Sequence, residues 1–117
     1  MGEVVYEVNL EIQREYAAEY MAWLRTHSME MLELDGFLSC TVSDFERVKE
    51  ANEPQTVRKV VAYRVRSMRH LRDYFEAGAA KMRGQATSKF AGKFKAWRRV
   101  ILPRERHENL AKAKSKL

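Results

Sequence analysis

The chain has 117 residues, 45% hydrophobic and 32% charged, which is enough apolar material for one domain with a core and too much for wholesale disorder. No apolar run approaches the ~18 residues of a membrane-spanning helix, MGEVVYEVNLEI lacks the basic leader and apolar segment of a secretory signal, and the one cysteine, Cys40, allows no internal disulfide, all of which fits a reducing cytoplasm. The net charge of +6 is unevenly divided: residues 1–58 carry 5 Lys/Arg against 12 Asp/Glu and residues 59–117 carry 17 against 4, which predicts either a basic patch for an anionic partner such as nucleic acid or an acidic element packed beside a basic one.

Val4, Tyr6, Val8, Leu10 and Ile12 alternate with Val5, Glu7, Asn9 and Glu11, the period of a strand with one apolar and one mostly polar face. From about residue 14 to 34 the period becomes helical: Tyr16, Tyr20, Trp23, Leu24, His27, Met31 and Leu34 recur at spacings of three and four, and Gly36 is a stop signal. FLSCTVSDF, residues 37–45, reads as a second strand, with Cys40 sharing a face with Leu38 and Val42 as a small buried hydrophobe. ERVKEANEP is a polar connection closed by Pro54. Residues 55–66 form a third strand, with Val57, Val61, Tyr63 and Val65 on one side and Thr56, Arg58, Val60, Ala62 and Arg64 on the other.

Ser67 is an N-cap signal for a helix carrying Leu71, Tyr74 and Phe75. Gly78 and Gly84 weaken that helix, which predicts two shorter helices reaching Phe90, with a break at Gly92. FKAWRRVIL, residues 94–102, is a fourth strand ended by Pro103. On it Trp97, Arg99 and Ile101 share one side and Ala96, Arg98 and Val100 the other; the spacing does not say which side is covered. Residues 104–117 read as a basic tail, weakly helical or disordered, after a single domain over 1–103. The order βαββαβ predicts an α+β, ferredoxin-like fold: a four-stranded antiparallel sheet with helices on one face.

The uncovered face would carry Val5, Val60 and Ala62 together with Glu7, Asn9 and Arg64. That mixture suits a lined cavity or a partly polar dimer interface. His27, on an apolar helix stripe beside Trp23, is the candidate proton carrier, because its ordinary pKa suits acid–base work near neutrality; a satisfied core histidine is the plainer alternative. Glu7, as a base or as an ion-pair partner of Arg64 or Arg99, and Asn9, as a polariser of a substrate oxygen, complete the catalytic candidates. Tyr6, Trp23, Arg64 and Arg99 are the ligand-binding candidates. No metal is expected, since His27, His70 and His107 are scattered and HExxH is absent. No cofactor is expected either, there being no glycine-rich phosphate loop or dinucleotide fingerprint. The third strand, VRKVVAYRV, lacks the aromatic pattern with which ferredoxin-like sheets stack RNA bases, so nucleic acid would meet this chain only through phosphate contacts by its basic half.

YEVNLEI, YMAWLRTHSMEML, DGFLS, VAYRVRSMRHLRDYF and FKAWRRVIL, in that order and over about residues 4–102, resemble a bacterial family of short proteins of unknown function placed with the dimeric α+β barrels. The resemblance implies a homodimer whose two sheets face each other. It also implies kinship with antibiotic-biosynthesis monooxygenases, haem-degrading oxygenases and small lactone isomerases. Haem is disfavoured: Asn9 matches the haem branch's asparagine, but no histidine lies between residues 71 and 106, and Tyr74 stands where its tryptophan would. The expectation is a small cytoplasmic homodimer that binds, to sense or to transform, an aromatic or hydrophobic molecule; if it is an enzyme, cofactor-independent oxygenation or isomerisation is the chemistry that fits. The alternatives are a non-enzymatic protein that meets an anionic partner through its basic half, and a dimer with a filled barrel and no ligand.

Overall fold

A computed structural model of the protein describes residues 2–46 and 55–115. The elements are β1 (Val4–Gln13), one 3-10 turn (Arg14–Tyr16) leading into α1 (Ala17–Met31), β2 (Phe37–Asp44), β3 (Thr56–Val65), α2 (Met68–Ala77), α3 (Ala79–Phe90), β4 (Phe94–Ile101) and a short α4 (Leu110–Ser115). The strands form one antiparallel sheet in the order β2-β3-β1-β4, so the expected ferredoxin-like α+β fold is the one observed. The polar connection ending at Pro54 lies, from residue 47 on, outside the described residues. No helix among the described residues is long and apolar enough to cross a membrane.

β1 is the centre of the sheet, paired with β3 on one side and β4 on the other. Its helix-facing row supplies Val4, Tyr6, Leu10 and Ile12 to a core completed by Val61, Tyr63 and Val65 of β3, Tyr20, Leu24 and Met31 of α1, Leu71 and Tyr74 of α2, and Phe90 at the end of α3. In α1 the buried positions Tyr20, Leu24, Ser28 and Met31 keep the three-and-four spacing of a helix seated on a sheet. A register shift between Phe37 and Ser39 alters the expected alternation of β2: Phe37 and Cys40 both turn to the core side, opposite Val65 and Tyr63, while Leu38 is 36% exposed. A bulge of this kind places two residues of one strand against one of its partner.

The ends of α2 follow the sequence signals. The Ser67 side chain accepts the backbone N–H of His70 and so satisfies one of the free donors of the first turn. Gly78 ends α2, and α3 begins at the next residue; Gly84 is accommodated inside α3. Gly36 takes φ +82°, and a Cβ there would sit 2.4 Å from Cγ of His70. The position thus demands glycine for its backbone and for the close approach of a side chain. In the tail, Asn109 accepts from the N–H of Lys112 at the start of α4.

Candidate functional site

Side-chain alternation gives the sheet two surfaces of different chemistry. The registers Tyr6–Tyr63, Val8–Val61, Tyr6–Val100 and Val8–Arg98 run across the helix-facing side; Glu7–Ala62, Asn9–Val60, Glu7–Arg99 and Asn9–Trp97 run across the other. The sidedness of β4, open from spacing alone, is therefore settled: Phe94, Ala96 and Arg98 look toward the helices, and Trp97 and Arg99 look away.

Between the sheet and the helices lies a cavity of about 370 Å³, within the ~300–1,000 Å³ typical of small-molecule sites. Val8 marks its floor. Its neighbours in the same row, Tyr6 and Leu10, are each 2% exposed, whereas Val8 is only half-buried because it opens onto the cavity. Tyr20, Trp23 and His27 of α1, Arg83 and Thr87 of α3 and Tyr74 of α2 line it. The walls combine aromatic with aliphatic side chains; Tyr20 packs on Phe94 at 5.1 Å, on Trp23 at 5.4 Å and on Phe90 behind them at 4.9 Å, while Tyr6 stacks on Tyr63 at 6.1 Å.

His27 lies nearly parallel to the Trp23 indole, with centroids 4.6 Å and planes 15° apart. Its Nδ1 is buried without a partner among the described residues. Burial holds its pKa below the ordinary 6.5; the Gln85 side chain and Glu30 oppose this, and Arg98 adds to it. The ring is therefore neutral at pH 7, a base with a free nitrogen lone pair or an N–H to offer. Burial also pushes the phenols upward, those of Tyr20 and Tyr74 to about 12 and that of Tyr63 further, so these hydroxyls keep their protons. The guanidinium of Arg83 donates to the Tyr6 hydroxyl at 3.3 Å and stands over the ring of Phe75. Among the described residues no cluster of three or more His, Cys, Asp or Glu could hold a metal.

The opposite surface is built differently. Arg99 Nε donates to Glu7 Oε1 at 2.6 Å, and Asn9 Nδ2 donates to the same oxygen at 3.1 Å. The hydrogen bond from Arg99, with Asn9 and the arginine's charge adding to it, holds the Glu7 carboxyl below the ordinary 4.5 against the opposing effect of burial. Both Glu7 and Asn9 are buried at 8% exposure. Arg64 reaches Glu3 rather than Glu7, through two bonds of 2.9 and 2.6 Å.

The residues expected to form one site thus divide. Tyr6, Trp23 and His27 share the cavity. Glu7, Asn9 and Arg99 are joined on the far side of the sheet, and Arg64 stands apart with Glu3. A wall combining Trp23 and His27 with Asn9 and Arg99 is not formed, because residues of odd and even number on β1 point to opposite faces and the backbone lies between them. Sequence reasoning did not single out Arg83 and Arg98 as cavity residues. The signal for Arg98 was its place in the row with Phe94, an aromatic that had to be covered; for Arg83 it was the four-residue step to Thr87 on one helix face.

Residues 3–103 match the family described as Domain of unknown function (DUF4286), and the chain belongs to it. No curated protein matches the chain. Among solved structures, SnoaB, a cofactor-independent oxygenase from Streptomyces nogalater, is similar with a TM-score of 0.64 at 11% identity, over 91% of this chain and 97% of its own. A Deinococcus radiodurans protein named for antibiotic biosynthesis monooxygenases gives 0.63 at 14% identity, over 91% and 97%. The de novo designed protein Foldit4 gives 0.59 at 17%, over 87% and 99%. The shared feature is the fold, a four-stranded antiparallel sheet with helices on one face. That a designed chain shares it shows how little the architecture alone says about chemistry.

Proposed function

We propose that this member of the DUF4286 family binds a small aromatic or hydrophobic molecule in the cavity under α1 and α3, and does so as a homodimer whose uncovered sheet faces meet. The observation that carries the reading is the half-buried Val8 at the base of a concave space of about 370 Å³ lined by aromatic and aliphatic side chains, a size and lining that suit a small-molecule site. A planar apolar guest would stack on the rings around it and restore the missing contacts.

The chemistry that fits is cofactor-independent oxygenation or isomerisation, begun by proton abstraction. His27, a neutral imidazole in the cavity lining, is the base, and the protonated phenols of Tyr20 and Tyr74 are donors for an oxygen on which charge develops. SnoaB's description as a cofactor-independent oxygenase supports this reading through fold likeness alone. In this reading Glu7, Asn9 and Arg99 serve the dimer rather than the reaction: they hold polar groups in place on the face that a second copy covers, with Trp97, 43% exposed, as the apolar anchor.

Native mass spectrometry of freshly purified protein tests both parts. The expected species is a dimer carrying a small added mass, lost in His27→Ala and Val8→Phe while the fold stays intact by circular dichroism. A monomer would refute the facing sheets, as would a dimer unaffected by Trp97→Asp. A species dragging nucleic acid, released by salt and by deletion of residues 104–117, would shift the reading to the basic half.

A further inference from the structure

The arginines on the two surfaces of the sheet differ in their partners. On the far side each described arginine meets a carboxylate: Arg99 with Glu7, Arg64 with Glu3, and Arg58 with Glu11. On the cavity side two guanidinium groups, Arg83 and Arg98, line a space of aromatic and aliphatic side chains in which no aspartate or glutamate is among the lining residues. Arg98 is the register partner of Val8 and so rises from the floor itself, at the exposed rim of the cavity. Among the described residues it makes no ion pair; the carboxylate beside its neighbour Arg99 lies across the sheet. Cations beside apolar surface with no counter-charge leave a place for an anion. The hydroxyls of Tyr20, Tyr63 and Tyr74 in the same cavity add further hydrogen-bond donors.

We infer that the ligand is an aromatic acid, its rings under α1 and α3 against Trp23 and its carboxylate at the rim on Arg98, with Arg83 as the second cation. The inference rests on the cavity reading above and narrows it to one ligand class. Arg98 is the residue that sets specificity: it separates an acid from a neutral compound of the same shape, while the aromatic walls hold either one.

The test is isothermal titration calorimetry with 2-naphthoate and with its neutral isostere 2-naphthamide, on the full chain. The wild type is expected to bind the acid about tenfold more tightly than the amide, as a charge-assisted hydrogen bond at a partly open site would give. Arg98→Gln should bind both alike, near the wild-type affinity for the amide. Arg98→Lys should keep part of the preference. Lys81→Gln, which removes an exposed cation of α3 that does not line the cavity, should keep all of it. Equal binding of acid and amide by the wild type, or a preference that survives Arg98→Gln, would overturn the acid assignment and leave the cavity reading standing. Failure of both compounds to bind, or binding undiminished in Val8→Phe, would overturn the cavity reading and the inference with it.

Discussion

The imidazole of His27 lies against the indole of Trp23 at 4.6 Å, nearly parallel, so the protonation of one is readable in the emission of the other. A protonated imidazole quenches a touching indole more strongly than a neutral one does. In a Trp97→Phe background, where Trp23 is the remaining tryptophan, emission is expected to fall on acidification with a midpoint below the ordinary histidine value of 6.5. The titration should be flat in His27→Gln. The linked stability has a definite sign. The unfolded chain takes up the proton first, so the contribution is complete above 6.5 and is lost as pH falls from there toward the lowered folded value. A midpoint at or above 6.5 would refute the buried neutral ring.

Val8→Phe should place a phenyl group in the cavity. In a filled core such an enlargement costs ~1–3 kcal/mol. Here the space already exists, and urea unfolding should show a change of less than ~1 kcal/mol in either direction. A loss of several kcal/mol would mean that the space beside Val8 is not open.

Gly36→Ala should be among the more damaging single substitutions outside the core. The left-handed φ of +82° costs a non-glycine residue ~1–2 kcal/mol, and the new methyl group would overlap His70, whose own position is fixed by the Ser67 hydroxyl 2.7 Å from its Nδ1. A total of ~2–4 kcal/mol is expected in urea unfolding. Adding His70→Ala should recover the steric part and leave only the backbone part; no recovery would refute the overlap.

The Glu7–Arg99 pair predicts the acid limb of the stability curve. Glu7 has a folded pKa held below the ordinary 4.5 by the hydrogen bond from Arg99. Its contribution is therefore full above 4.5 and is lost as pH falls through the lowered value. Glu7→Gln should flatten the curve in that window and cost ~1 kcal/mol at neutral pH, since the amide oxygen of glutamine can still accept from Arg99. Arg99→Ala should cost more than Glu7→Gln, since it leaves the buried carboxylate with Asn9 alone. Equal acid sensitivity in wild type and Glu7→Gln would show that other carboxylates set that limb.

What the chain disclosed by inspection was mostly periodicity. The alternation of Val4 to Ile12 and the three-and-four spacing from Tyr20 to Met31 both report burial, and both are present in the structure as β1 and α1. Ser67 as a cap and Gly78 as a break are local signals, and local geometry honours them. Strand alternation by itself separates Tyr6 from Glu7 and Asn9, although all three are candidates for one site on residue type alone. Spacing says which residues share a face of one element; it does not say which faces meet across a fold. The bulge at Leu38 had no local signal, since it is set by how β2 pairs with β3 rather than by its own residues. Arg98 escaped because two adjacent arginines look alike until the register with β1 is known.

That adjacency has a consequence of its own. Arg98 and Arg99 are one peptide bond apart, yet they occupy separate compartments, one at the mouth of a hollow lined with rings and the other clasped to Glu7. The sheet acts as a partition a single backbone thick. A substitution at one of the two leaves the other's surroundings in place, so the chamber and the outer wall can be retuned independently. An insertion or deletion of one residue in β1 or β4 would do the reverse, exchanging every occupant of the two sides at once.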